Sequence, residues 1–145
     1  MKKYLLTLLI INFFVNFKII IAYELDIMSI HNSKTMSTNS LYKFTISEAE
    51  GNWQDSMGNY GKARILFYLE QEIKNQPFIK GLGKLNDQNN NVISFIPMRQ
   101  SFEKAGVGRI QFIESSNSYE FLLQSKCTYA INYFENRSFM KVKCK

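Results

Sequence analysis

The chain has 145 residues, with eighteen Lys and Arg against twelve Asp and Glu, one His and two Cys. This length suits a single domain with a core of its own. The basic residues are interspersed with acids, as at Lys43, Lys62, Lys74, Lys80, Lys84, Lys104 and Lys126, so no concentrated basic face for nucleic acid is expected.

Lys2 and Lys3 precede an apolar run over residues 4–17, broken only by Thr7, Asn12 and Asn16, and Ile19, Ile20 and Ile21 lead to Ala22. A positive start, an apolar stretch and a small residue at its end are the grammar of a secretory signal. We expect a signal helix over residues 1–22, cleaved before Tyr23. The alternative, an uncleaved anchor, is disfavoured because Lys18, Asn12 and Asn16 transfer poorly into a bilayer. Loss of Lys2, Lys3 and Lys18 leaves 123 residues, fifteen basic and twelve acidic, with a net charge of +3. No Cys follows the apolar run, so nothing points to lipidation. A periplasmic or secreted monomer, not held in a membrane after cleavage, is the expectation.

Residues 23–40 are polar, with His31, Asn32, Ser33, Thr35, Ser37, Thr38, Asn39 and Ser40, and read as a flexible arm. From residue 41 to residue 145, short apolar and aromatic runs alternate with Gly, Asn, Asp and Ser clusters roughly every ten residues, the pattern of consecutive antiparallel strands. The predicted strands are 42–53, 62–73 (bent or split), 78–85, 92–98, 108–114, 119–125, 127–134 and 137–144. Residues 99–106 fit either a single helical turn or a loop. The fold class is therefore all-β: an up-and-down meander of about eight strands, closed or nearly closed into a barrel.

Two hairpins fix registers by arithmetic. A loop over residues 115–118 sets Phe112 opposite Phe121 and Ile110 opposite Leu123, with Arg109 and Gln111 facing out. A two-residue loop at Glu135 and Asn136 sets Tyr133 opposite Ser138, Ile131 opposite Met140, Tyr129 opposite Val142 and Cys127 opposite Cys144. Opposed residues of an antiparallel pair lie about 4.5–5.5 Å apart at Cα, which a disulfide accepts, and export supplies the oxidising compartment. We expect a structural Cys127–Cys144 disulfide. The spacing is not that of a redox C-x-x-C, and the lone His lies far from both thiols, so no metal is expected.

No catalytic residues are assigned. General-base chemistry needs a placed imidazole, and His31 falls in the arm. Glu48 with Glu50, and Glu70 with Glu72, share a strand face at spacing two, as any solvated face does. Gly81 and Gly83, like Gly106 and Gly108, read as bends or bulges, and no cofactor is implied. Asn136-Arg137-Ser138 has the form of a glycosylation sequon but occupies a tight hairpin.

The stretch Glu50-Gly51-Asn52-Trp53-Gln54-Asp55-Ser56-Met57-Gly58-Asn59-Tyr60-Gly61 resembles the opening strand and turn of lipocalin-like and avidin-like barrels, with Gly51 and Trp53 as the shared G-x-W. The resemblance implies a Trp53 that closes the barrel floor or lines a cavity for a small hydrophobic molecule. Gly58-Asn59-Tyr60-Gly61 and the tail from Cys127 to Cys144 are also similar to small uncharacterised secreted proteins of marine alphaproteobacteria, which names no activity.

The leading expectation is a non-enzymatic barrel whose inward aromatics, among them Phe67, Phe95 and Phe112, line a pocket or fill the core. Trp53, Tyr60, Arg99, Tyr129 and Tyr133 are the candidate binding residues, with Arg99 or Tyr60 near the mouth. Alternatives are an envelope interaction module presenting the arm and the 87–91 loop, and a hydrolase or isomerase using carboxylates and tyrosines inside the barrel. Expressed in its own host, the exported protein is expected to give an intact mass beginning at Tyr23; a mass retaining residues 1–22 would establish the anchor instead.

Overall fold

A computed structural model describes residues 22–38, 42–72, 78–100 and 105–145. Eight antiparallel strands follow one another around a closed barrel: β1 (Tyr23–Thr38), β2 (Tyr42–Asp55), β3 (Tyr60–Glu72), β4 (Phe78–Asp87), β5 (Val92–Arg99), β6 (Ala105–Ser115), β7 (Cys127–Phe134) and β8 (Arg137–Cys144). β8 returns to pair with β1, from Tyr23 opposite Cys144 to Ile30 opposite Arg137. The expected signal, residues 1–22, lies outside the described residues except for Ala22.

The expected arm is a strand. Along β1, Tyr23, Leu25, Ile27 and Ser29 are buried, while Glu24, Asp26, Met28 and Ile30 are more exposed. Period-two alternation is present, but its polarity reverses midway: inward residues become Ser and His while outward ones become Met and Ile. Inward hydroxyls are nevertheless satisfied, because Ser33 and Ser47 hydrogen bond at 2.7 Å and Thr35 and Thr45 at 2.8 Å across the β1–β2 pair.

The segment expected as a strand over residues 119–125 is a 3-10 helix, Asn117–Gln124, linking β6 to β7. Tyr119 and Leu122, three residues apart, are its buried positions, whereas Phe121 and Leu123 are exposed. Phe112 therefore pairs with Phe95, and Ile110 with both Pro97 and Cys127, correcting the expected 115–118 hairpin. The strand count of eight survives because β1 takes the place of this segment. β3 runs unbroken to Glu72. Ala105 and Gly106 belong to β6, and the rest of the possible helical turn, residues 101–104, lies outside the described residues.

The last hairpin has the expected register throughout. Cys127 and Cys144 form a disulfide with Cα atoms 4.1 Å apart; its short loop sets a scale of about 3 kcal/mol by chain entropy. Gly83 and Gly108 are neither bends nor bulges but spaces for rings. A Cβ on Gly108 would lie 2.5 Å from the ring of its cross-strand partner Tyr129, and one on Gly83 would strike Phe95.

One end of the barrel is sealed. Two of its turns repeat the same device, Asp55-Ser56-Met57-Gly58-Asn59 and Asp87-Gln88-Asn89-Asn90-Asn91. In each, one carboxylate oxygen accepts backbone N–H groups two and four residues on, and the other accepts the Asn side-chain amide. The fourth residue, Gly58 or Asn90, takes positive φ, 87° and 65°, as glycine and asparagine do most readily. A buried phenol then caps each Asp: Tyr23 donates to Asp55 at 3.2 Å and Tyr119 to Asp87 at 3.0 Å. Burial opposes ionisation of Asp87, but the hydrogen bonds from Asn91, Asn89 and Tyr119 outweigh it and hold its pKa below the usual carboxylate value. Tyr119 also meets Trp53 edge-on at 6.4 Å.

Tyr119→Phe removes a buried hydrogen bond to an ionised acceptor while keeping the ring. It is expected to cost about 1.5–3 kcal/mol, read as a lower urea midpoint with unchanged slope.

Candidate functional site

At the other end the strands turn through the β1–β2, β3–β4, β5–β6 and β7–β8 connections, and the inward side chains become smaller and more polar. Above the packed rings of Phe95 and Phe112, Ile27, Ala49, Ile65, Pro97, Ile131 and Met140 border a narrow internal cavity of about 30 Å³. That is room for roughly two waters. His31, Phe67, Ile79 and Tyr133 line both this cavity and a wider mouth of about 520 Å³, so the two are continuous. Ser33, Thr45, Ser47, Arg99, Glu135 and Asn136 complete the mouth.

His31, expected in a loose arm, is held here by β1. Its Nε2 lies 2.6 Å from Ser138 Oγ and 3.4 Å from Ser29 Oγ, and the two serine oxygens are 2.9 Å apart. Its ring meets Phe67 and Tyr133 edge-on at 5.8 and 5.4 Å, and its backbone N–H donates to Asn136 O across the β1–β8 seam. Burial lowers the imidazole's pKa, which favours the neutral ring near pH 7.

Arg99 ends β5 opposite Ile79. Only 5% of its surface is exposed. Its Nε and Nη1 are buried without a hydrogen-bond partner among the described residues, and its guanidinium carbon stands 5.8 Å over the Tyr133 ring, within cation–π range. Tyr129 is pushed up to about 12 by burial, against the pull of Arg99's charge and with a smaller push from Tyr133; Tyr133 is raised by burial against the same pull. Both phenols stay protonated and able to donate.

Of the five candidate binding residues, Arg99, Tyr129 and Tyr133 converge at this end. The other two do not. Trp53 is 2% exposed in the sealed floor, its indole donating to Asn86 O at 3.1 Å, so it lines no part of the cavity. Tyr60 is 61% exposed at the start of β3, on the outer surface and at the sealed end. Sequence reading missed His31, Ser29, Ser33, Thr45, Ser47 and Ser138. The signal available was an alternating S-x-H-x-S-x-T over residues 29–35, matched across β2 by Thr45 and Ser47.

One carboxylate, Glu135, lines the mouth; those singled out from the sequence lie elsewhere. Glu48 and Glu50 pair with Arg64 on the outside, Glu70 accepts from Tyr42, and Asp55 and Asp87 are fixed in turns. The 87–91 segment is a tight turn whose Asp87 is buried and whose Gln88, Asn89 and Asn90 are exposed. Ser138 and His31 stand at the distance of a nucleophile and its base, but Ser138 is also tied to Ser29, and among the described residues no carboxylate bonds the imidazole. No group of three or more His, Cys, Asp and Glu converges as metal ligands among the described residues. The arrangement is one of hydrogen-bond donors and a single buried cation around a narrow apolar shaft.

No family model and no curated protein matches the chain. Solved structures do. A conserved protein of unknown function from Rhodopseudomonas palustris superposes with a TM-score of 0.67 at 10% identity, over 84% of this chain and 94% of that one. A β-barrel-like protein from Acinetobacter baumannii gives 0.69 at 12% identity, over 83% and 91%. At such identities the likeness establishes the fold, a closed eight-stranded β-barrel, and no activity.

His31 is the chain's single histidine, which makes its protonation separable. Because its folded pKa is below the ordinary 6.5, the unfolded chain takes up the proton first. Stability is then expected to fall as pH drops through about 6.5 and to level off once below the folded value. Urea midpoints between about pH 7.5 and 5 should show this loss, and His31→Gln should remove the part of the slope centred there.

Proposed function

We propose that the protein is an exported, non-enzymatic barrel that binds a small molecule at its open end. The observation that carries this reading is the asymmetry of the interior: the floor is filled by Trp53, Tyr119 and Leu122, while the opposite end leaves an apolar shaft that opens into a wider, largely apolar mouth carrying a few polar groups, Arg99 and His31 among them. Concave, largely apolar sites with a few convergent polar groups are what small ligands use. The site is at the end away from Trp53, so the reading rests on Arg99, Tyr129, Tyr133 and His31.

Export is supported by the apolar leader over residues 1–22 and by the disulfide, which persists in oxidising compartments. The buried place of Trp53 in the floor fits the lipocalin-like and avidin-like resemblance, in which the Trp closes the barrel. The ligand-bound unit is a single chain.

Native mass spectrometry of the protein recovered from its own export compartment tests the proposal. A discrete extra mass, retained under native conditions and lost on denaturation, is the expected result. A bare chain mass under both conditions, at material concentrations that preserve other non-covalent complexes, would overturn it.

A further inference from the structure

Arg99 is the least explained residue in the barrel. Its guanidinium is a cation, 5% exposed, and leaves Nε and Nη1 unpaired among the described residues. Among the described residues that line the same mouth, Glu135 is the one other charged group besides His31 when protonated; it is exposed at the β7–β8 turn, and no ion pair joins it to Arg99 among the described residues. A buried charge without a counterion is costly, and an apolar residue would fill the position without that cost. The surroundings are donors: the phenols of Tyr129 and Tyr133, and the hydroxyls of Ser33, Ser47 and Thr45. An incoming anion would meet one fixed positive charge and several neutral O–H groups.

We propose that the ligand is a small organic carboxylate, its anionic end held by Arg99 in the mouth and its short apolar end directed into the shaft between Ile27, Ile65, Phe67, Ile131 and Met140. This deepens the binding function proposed above and rests on it. A monoanion matches one cation, whereas a phosphate dianion would leave excess charge facing Glu135 and an apolar wall. Guanidinium and carboxylate also match in plane and donor spacing. The 30 Å³ of the shaft admits no more than a short alkyl end without repacking.

Titration calorimetry or chemical-shift titration of the full secreted chain with hexanoate, hexanol and inorganic phosphate provides the test. Hexanoate is expected to bind at least about tenfold more tightly than hexanol, the scale of one charge-assisted hydrogen-bonded contact, and phosphate to bind more weakly than hexanoate. Arg99→Met should abolish the preference for hexanoate over hexanol. Its apo form should melt no lower than the parent, since a buried unpaired charge has been removed.

Equal binding of hexanoate and hexanol would overturn the carboxylate assignment while leaving the binding function intact. Phosphate binding as tightly as hexanoate would replace it with a simple anion site. Failure of all three probes to bind would overturn the carboxylate assignment, while the native mass of the recovered protein decides separately whether the barrel carries a ligand. The parent's preference between hexanoate and hexanol decides the matter even if Arg99→Met does not fold.

Discussion

The structure depends on closure. Once β8 pairs with β1, every second residue of eight strands is committed to a shared interior, and none of the sheet is left with an open edge to protect. An eight-stranded interior is just wide enough for side chains to fill. What lies inside is therefore decided locally, layer by layer, by the size of the inward residue on each strand. Tyr23, Trp53, Phe95, Phe112, Tyr119 and Leu122 fill the lower layers. Ala49, Ser29, Ser47 and Ser138 occupy equivalent inward positions higher up and do not reach across. The cavity is the consequence of small residues at one end of a tube of fixed width.

Both ends bury polar groups, and they do so differently. In the floor, each Asp is saturated by its own turn and by a phenol from another element, so the polar atoms become part of the seal. In the mouth, serine and threonine hydroxyls satisfy one another in pairs, burial lowers the pKa of His31 beside Ser138 and two rings, and among the described residues there Arg99 is left with unsatisfied donors. A satisfied network makes a unique, well-packed structure. An unsatisfied cation at the entrance of the cavity, Arg99 among the described residues, is a different matter: on the binding function proposed above, its cost would be relieved by an anion that enters.

The hairpin of β7 and β8 was legible from the sequence because three independent signals agreed there: alternating apolar residues, a two-residue turn, and the only two cysteines falling opposite one another. β1 was not, since inward Ser29, His31, Ser33 and Thr35 invert the rule that apolar residues face in. The residues that build the mouth are thus the ones that disguised the strand carrying them. The 3-10 helix was misread for another reason. Tyr119, Phe121, Leu122 and Leu123 satisfy periods of two and of three alike, and what separates them is tertiary: Tyr119 must reach Asp87 and Leu122 must enter the floor. Trp53 was correctly placed as an inward residue of β2, but its layer within the barrel is set by pairing with Ile27 and Gly61, which composition does not reveal.

The stabilising devices are unevenly distributed along the barrel axis. The disulfide, the two Asp turns, the 3-10 helix and the closing pair of Tyr23 with Cys144 all belong to the floor. At the mouth, residues 32–38 of β1 are paired with β2 yet largely exposed, and cross-strand hydroxyl bonds are the principal ties between the inward side chains of those strands. Local stability follows buried apolar contact and covalent constraint, so the floor sets the global stability and the mouth opens at lower cost. On the binding function proposed above, that division holds the shaft and Arg99 in register on a base that the disulfide, the Asp turns and the 3-10 helix stabilise.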